Sequence, residues 1–217
     1  MDNIKAVIFD LDGVLIDSEV CYISKLWHFV KEEFGKSVPK EALLPIVGAS
    51  GMAHFLAVKD YLPPDWGREE YLVGYRAYLA RNPISYPELC FPDVPATLAW
   101  LKEKGYRMAL ATSSPRDKVE QSIGECGLTD YFAAMLTRDD VENCKPDPEI
   151  YLKALQKLDL SPEQCLVVED SSIGIAAAKA AGIKVAARRE TRYPMDQSQA
   201  DYFLERIGDL PDLLISF

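Results

Sequence analysis

The chain has 217 residues, enough for one large domain or a domain carrying an insertion, and its 48% hydrophobic and 27% charged residues suit a globular protein with a real core. A formal net charge of −10 excludes a broad nucleic-acid or anionic-membrane surface, which needs a basic patch, but leaves room for a local cationic pocket that takes a small phosphorylated metabolite. Cys21, Cys90, Cys126, Cys144 and Cys165 are scattered with no Cys-x-x-Cys, and two histidines are too few for a zinc set, so free thiols in a reducing cytosol are expected. Residues 1–20 carry acids beside short apolar runs, which does not fit a signal peptide, and no apolar stretch approaches the ~18 residues of a membrane span. A cytoplasmic monomer is the expectation.

The first element is a strand. Ala6 to Phe9 is apolar, rich in β-branched residues and stops at Asp10, Asp12 and Gly13, the pattern of a strand buried on both faces. Carboxylates at the carboxyl end of such a strand sit where open α/β sheets place their ligands. Asp-Gly is also ordinary turn punctuation, so a turn and a site compete at this point. After Asp17 the pattern becomes helical: Ser18 is a candidate cap for a helix over 19–34, closed by Gly35, with Ile23, Leu26, Trp27, Val30 and Phe34 at spacings of three and four. Further helices are expected at 39–47, 51–61 and 67–81, broken by Gly48-Ala49-Ser50-Gly51 and Pro63-Pro64. Tyr71, Tyr75 and Tyr78 share helical spacing and read as core packing ahead of a ligand cage. Pro83, Pro87, Pro92 and Pro95 mark a return crossing.

From Val94 helix and strand alternate. The pattern predicts helices at 94–104 (ended by Gly105), 115–126, 148–158 and 172–181 (ended by Gly182), and strands at 106–111, 133–136, 165–168 and 183–187. Such alternation predicts a parallel sheet with helices on both faces. The fold class is therefore α/β, with a core of 1–16 and 88–217 and a helical insertion, 17–87, between its parts.

In a parallel sheet the strand ends share one edge. The second strand ends in Thr112-Ser113-Ser114-Pro115, where small hydroxyls and amides at a helix start suit an anion, although Ser114 taken alone reads first as the cap of that helix, and the two readings are compatible. Beyond the third strand, Lys145 in Lys145-Pro146-Asp147-Pro148 is either a solvated loop lysine or a cation stiffened by flanking prolines. The fourth strand ends in Glu169-Asp170-Ser171-Ser172, acids that favour a helix dipole or face Asp10 and suit Mg²⁺. Together these features describe a phosphoryl-transfer site.

On Asp10-Leu-Asp12-Gly-Val-Leu, Leu110-Ala-Thr112-Ser113-Ser114, Lys145-Pro-Asp-Pro and Val168-Glu169-Asp170-Ser171, the chain resembles the haloacid dehalogenase-like superfamily, in the branch holding β-phosphoglucomutase and sugar-phosphate phosphatases. The resemblance implies a Rossmann-like core with an inserted helical cap. It implies Asp10 as the nucleophile forming an aspartyl-phosphate, Asp12 as acid and base, Thr112 and Ser113 as holders of phosphoryl oxygens, and Lys145 as their counter-charge. It also implies Mg²⁺ held by Asp10, the Asp12 carbonyl, Asp170 and Glu169. Gly51 stands where the mutase has a cap arginine, and Tyr22 where it has a histidine, so a phosphatase acting on a sugar or polyol phosphate is preferred and a phosphomutase is the alternative. A haloacid dehalogenase would leave Asp12 and the Glu169-Asp170 pair surplus, and a non-catalytic phosphoaspartate switch would need neither Asp12 nor a cap. Glu19, Tyr22, Gly48, Ser50, Gly51 and His54 are the candidate substrate contacts in the insertion, and Asp17 reads as the hinge leading into it.

Overall fold

The structure is a computed structural model that describes residues 4–46, 51–192 and 194–217. The chain divides into two compact units, one of Met1–Asp17 with Tyr86–Phe217 and one of Ser18–Ser85. In chain order the elements are β1 (Ala6–Phe9), α1 (Ser18–Phe34), α2 (Lys40–Leu43), α3 (Gly51–Val58), α4 (Arg68–Arg81), α5 (Tyr86–Leu89), α6 (Val94–Glu103), β2 (Arg107–Ala111), α7 (Arg116–Glu125), β3 (Ala134–Leu136), α8 (Glu149–Leu158), β4 (Cys165–Glu169), α9 (Ser172–Ala180), β5 (Lys184–Arg188), β6 (Tyr202–Leu204) and α10 (Leu210–Ile215). Among the described residues, no helix is long and apolar enough to cross a membrane.

The larger unit is a six-stranded, all-parallel sheet in the order β3-β2-β1-β4-β5-β6. The chain builds outward from β1 on one side, then returns to build on the other, so the carboxyl end of β1 lies at the switch in direction where such sheets open a crevice. Every residue of β1 and β4 is buried, which explains their unbroken apolar runs. Ala6 and Ile8 join Ala109, Val167 and Val185 in a cluster with Tyr151 and Leu155 of α8 and Ile175 of α9. The two-residue period turns Val7 and Phe9 to the other face, where α6 packs on β2.

The helical unit has its own core. Phe29 of α1 sits among Phe34, Tyr71, Tyr75 and Tyr78 with ring centroids 5.4, 6.2, 5.2 and 5.5 Å away, and Tyr71 and Tyr78 are buried. The tyrosine row of α4 therefore packs a core, and edge-on ring pairs of this kind add to the area that they bury.

Several boundaries differ from the pattern. The segment expected as a helix over 39–47 is α2 followed by a tighter turn, Leu44–Ile46, with Pro45 inside it. The segment over 51–61 leaves the α form after Val58 and ends in a tight turn, Lys59–Tyr61. β6 and α10 have no counterpart in the pattern, because three and six residues are too few to establish a period.

Candidate active site

Three strand ends and one loop meet at the carboxyl end of β1. Lys145 lies in the loop before α8, and its buried ammonium donates to Asp10 Oδ1 at 2.7 Å, Glu169 Oε1 at 2.7 Å and the Ala111 carbonyl at 2.9 Å. It is not a solvated loop lysine. Asp10, Glu169 and Asp170 are buried, and one carboxylate oxygen of each lies within 4.8 Å of the others. Burial, countered by Lys145 and reinforced by Glu169, pushes the Asp10 carboxyl up to about 7. Burial would raise Glu169 too, but Lys145 and a set of hydrogen bonds hold it below the usual carboxylate range. For Lys145, the attraction of Asp10 and Glu169 outweighs burial and raises its ammonium above the ordinary lysine range.

Both oxygens of Glu169 are fully engaged. Oε1 accepts from Lys145 and from the Tyr151 hydroxyl, and Oε2 accepts from the amides of Asp170 and Ser171 and from the Ser171 hydroxyl. The carboxylate is seated against α9, where an added Cβ on Gly174 would fall 1.7 Å from Oε1. Ser171, not either acid, caps α9, its hydroxyl accepting from the Gly174 amide. The Gln197 side-chain amide donates to the Asp170 carbonyl at 2.6 Å and so secures the same turn.

Asp12 turns to different partners. Its carboxylate accepts from the Ser114 hydroxyl at 2.6 Å and from the Lys118 ammonium at 2.9 and 3.0 Å. Ser114 therefore does not cap α7, whose N-cap position is Pro115. Lys118 also donates to Ser114 at 2.9 Å. Thr112 is buried, with its amide bonded to the Leu136 carbonyl and its hydroxyl accepting from the Ser114 amide, while Ser113 is exposed. The Arg116 amide at the start of α7 is occupied by Asp139, so this amide of the expected anion cradle has a protein partner.

Lys118, Ser114 and Tyr151 were not singled out from the sequence as working residues. Lys118 offers a signal in retrospect: a lysine in the first turn of a helix opposes the helix dipole and calls for an anion nearby. Tyr151 offers none, since a tyrosine among the apolar positions of α8 reads as core.

Asp17 is held by Arg192 through two hydrogen bonds of 2.7 and 2.9 Å. Glu19 and Tyr22 lie in the first turns of α1 and His54 lies in α3, all three partly buried, and Gly51 is the first residue of α3. Gly48 and Ser50 lie outside the described residues.

The acidic cluster fits a divalent cation. Three buried carboxylates against one ammonium leave two negative charges, and every donor is a hard oxygen. The cluster also depends on a close backbone approach at Gly13. Its φ is +76° and an added Cβ would fall 1.9 Å from Asp170 Oδ2. We expect Gly13→Ala to cost about 1–3 kcal/mol in backbone strain and to displace Asp170, read as a lower melting temperature together with weakened Mg²⁺ binding by calorimetry. Unchanged binding would separate Asp170 from the cation.

Residues 7–188 match the haloacid dehalogenase-like hydrolase family. The chain is 32% identical over 217 residues to pyrophosphatase PpaX of Bacillus cereus (strain B4264), spanning 98% of this chain and 97% of that one. The crystal structure of a "putative beta-phosphoglucomutase" from Thermotoga maritima superposes with a TM-score of 0.84 at 30% identity, covering 98% of this chain and 99% of that one. A subfamily IA hydrolase from Geobacter sulfurreducens gives 0.74 at 27% identity, covering 98% and 97%. The chain belongs to the haloacid dehalogenase-like hydrolase family, and it is an enzyme of that class.

Proposed function

We propose that the protein is a Mg²⁺-dependent phosphatase that hydrolyses a small phosphorylated metabolite through a phosphoryl group carried on Asp10. The observation that carries this reading is the placement of Asp10: a buried carboxylate at the end of the central strand, bonded to Lys145 and grouped with Glu169 and Asp170. In the first step an Asp10 oxygen bonds to phosphorus while the bond from phosphorus to the leaving oxygen breaks, and Asp12 gives that oxygen a proton. In the second, Asp12 takes a proton from water as it attacks phosphorus, and the aspartate is released. Ser114 and Lys118 fix the Asp12 carboxylate for this exchange. The buried Thr112 hydroxyl and Lys145 supply the hydrogen bond and the charge for phosphoryl oxygens, with the exposed Ser113 beside them.

Asp10 and Asp170 would hold the cation, with the Asp12 carbonyl. Glu169 contributes its charge and keeps Lys145 in place, because both its oxygens already accept protein donors. When bound, Mg²⁺ offsets the repulsion between an anionic nucleophile and an anionic phosphate. The helical unit would act as a lid that selects the leaving group.

Phosphatase is favoured over phosphomutase because Gly51 supplies no cationic side chain for a second phosphate. The purified protein is expected to release phosphate from a generic aryl phosphate with Mg²⁺, and to lose that activity in chelator. Absence of release, or release that chelator does not affect, would overturn the reading. A screen of sugar and polyol phosphates narrows the substrate. It should include inorganic pyrophosphate, because the relative at 32% identity is named a pyrophosphatase. Interconversion of glucose 1- and 6-phosphates without net phosphate release would instead mark a mutase.

A further inference from the structure

Two of the five cysteines meet where the chain returns to the larger unit. Cys90 follows α5 and Cys126 follows α7, and both are partly buried. The Cys90 amide and the Cys126 thiol both donate to the Tyr86 carbonyl, at 3.0 and 3.4 Å, so a single oxygen gathers the two residues. The Cys90 thiol donates to the Phe91 carbonyl at 3.7 Å, and Cys126 is the neighbour with the largest effect on its acidity.

Cys90 also belongs to the paired segments that link the two units. It bridges Ile16 in antiparallel fashion, while the Asp17 amide donates to the Leu89 carbonyl at 2.8 Å and the Phe91 amide to the Leu15 carbonyl at 3.1 Å. Cys126 closes the helix whose first turn carries Lys118, the partner of Asp12.

We propose that Cys90 and Cys126 form a redox-responsive dithiol that closes to an internal disulfide when it meets a low-molecular-weight disulfide. The asymmetry of the pair assigns the roles. The neighbouring Cys126 draws the Cys90 thiol below its ordinary range against the opposing effect of burial, whereas Cys90 and burial push Cys126 up. The Cys90 thiolate attacks one sulfur of the reagent, forming a mixed disulfide and expelling a thiolate. That thiolate takes the Cys126 proton, and the Cys126 sulfur then attacks Cys90 and releases a second thiol once protonated. The two cysteines lose two electrons, and the reagent gains them as two thiols. The bond would fasten both crossing segments to the end of α7. Its effect on turnover rests on the reading of the helical unit as a lid, whereas the thiol chemistry does not.

The test treats the reduced, full-length protein with oxidised glutathione. The titratable thiols, measured after denaturation, should fall from five to three, and peptide mass spectrometry should find Cys90 joined to Cys126. Aryl-phosphate turnover should fall several-fold, and dithiothreitol should restore both readings. Cys90→Ser and Cys126→Ser should form no internal crosslink and keep their turnover under the same treatment. Five persisting thiols, or a crosslink made through Cys144, would overturn the pairing. A Cys90–Cys126 bond with unchanged turnover would overturn the lock. Absence of turnover in the reduced protein would instead count against the phosphatase reading, and the thiol titration would still decide the pairing.

Discussion

Asp10→Asn is expected to abolish turnover, with kcat lower by about 10⁴-fold or more, the scale on which an enzyme loses its covalent nucleophile. The fold should not suffer with it. Asparagine keeps an oxygen that accepts from Lys145 Nζ, which lies 2.7 Å from Asp10 Oδ1. At pH 8 without divalent cation the variant should melt higher than the parent, and the sign follows from the position of the carboxyl. Burial raises Asp10 from its ordinary value to about 7, so the folded state holds this proton more tightly than the unfolded chain does. A group of that kind favours the fold most below its unfolded value, and that contribution is lost as the pH climbs through about 7. Asparagine removes the titration, so the variant's melting temperature should vary less between pH 5 and 8. Melts at both pH values, beside steady-state kinetics, check this expectation. Retained activity would remove Asp10 from the chemistry.

Lys145→Met has the largest expected effect on stability. The substitution leaves Asp10 and Glu169 buried beside Asp170 with the cation that those two share gone, and removing one partner of a buried pair typically costs about 3–5 kcal/mol. For a chain of this size that corresponds to a melting temperature lower by roughly 6–20 °C. Two conditions should recover part of the loss. Lowering the pH to 5 lets a carboxyl take a proton, and Mg²⁺ supplies the missing positive charge, so its stabilising effect should be larger in the variant than in the parent. Activity should fall as well, because the phosphoryl oxygens lose their counter-charge. A variant that melts like the parent would mean that the cluster does not depend on Lys145.

The sheet and the cluster were legible from residue types at strand ends. The run Ala6–Phe9 has the length and composition of a strand covered on both faces, and all four of its residues are buried. Lys145 was legible for a related reason: two prolines just after it, Pro146 and Pro148, stiffen the loop that carries the lysine. Other parts were not legible. Ser114 before a helix reads as a cap, because capping is local and visible in sequence, whereas its bond to Asp12 spans 102 positions. Lys118 was overlooked because any helical lysine has solvent as its default partner. Tyr151 joins the hydrophobic cluster and the Glu169 hydrogen bond at once, and only the first of these leaves a periodic trace. The pairing of Cys90 with Cys126 joins residues from two distant segments through the Tyr86 carbonyl, a contact that no spacing encodes.

The central claim is that a phosphoryl group rests on Asp10 during turnover. Rapid acid quench of enzyme mixed with Mg²⁺ and an aryl phosphate, followed by borohydride reduction, converts an acyl phosphate to the corresponding alcohol and so marks the residue that carried it. The account predicts homoserine in place of Asp10 in the peptide spanning 4–17, formed only when substrate and Mg²⁺ are both present. An unmodified Asp10 during rapid turnover, or reduction at Glu169 or Asp170 instead, would contradict it.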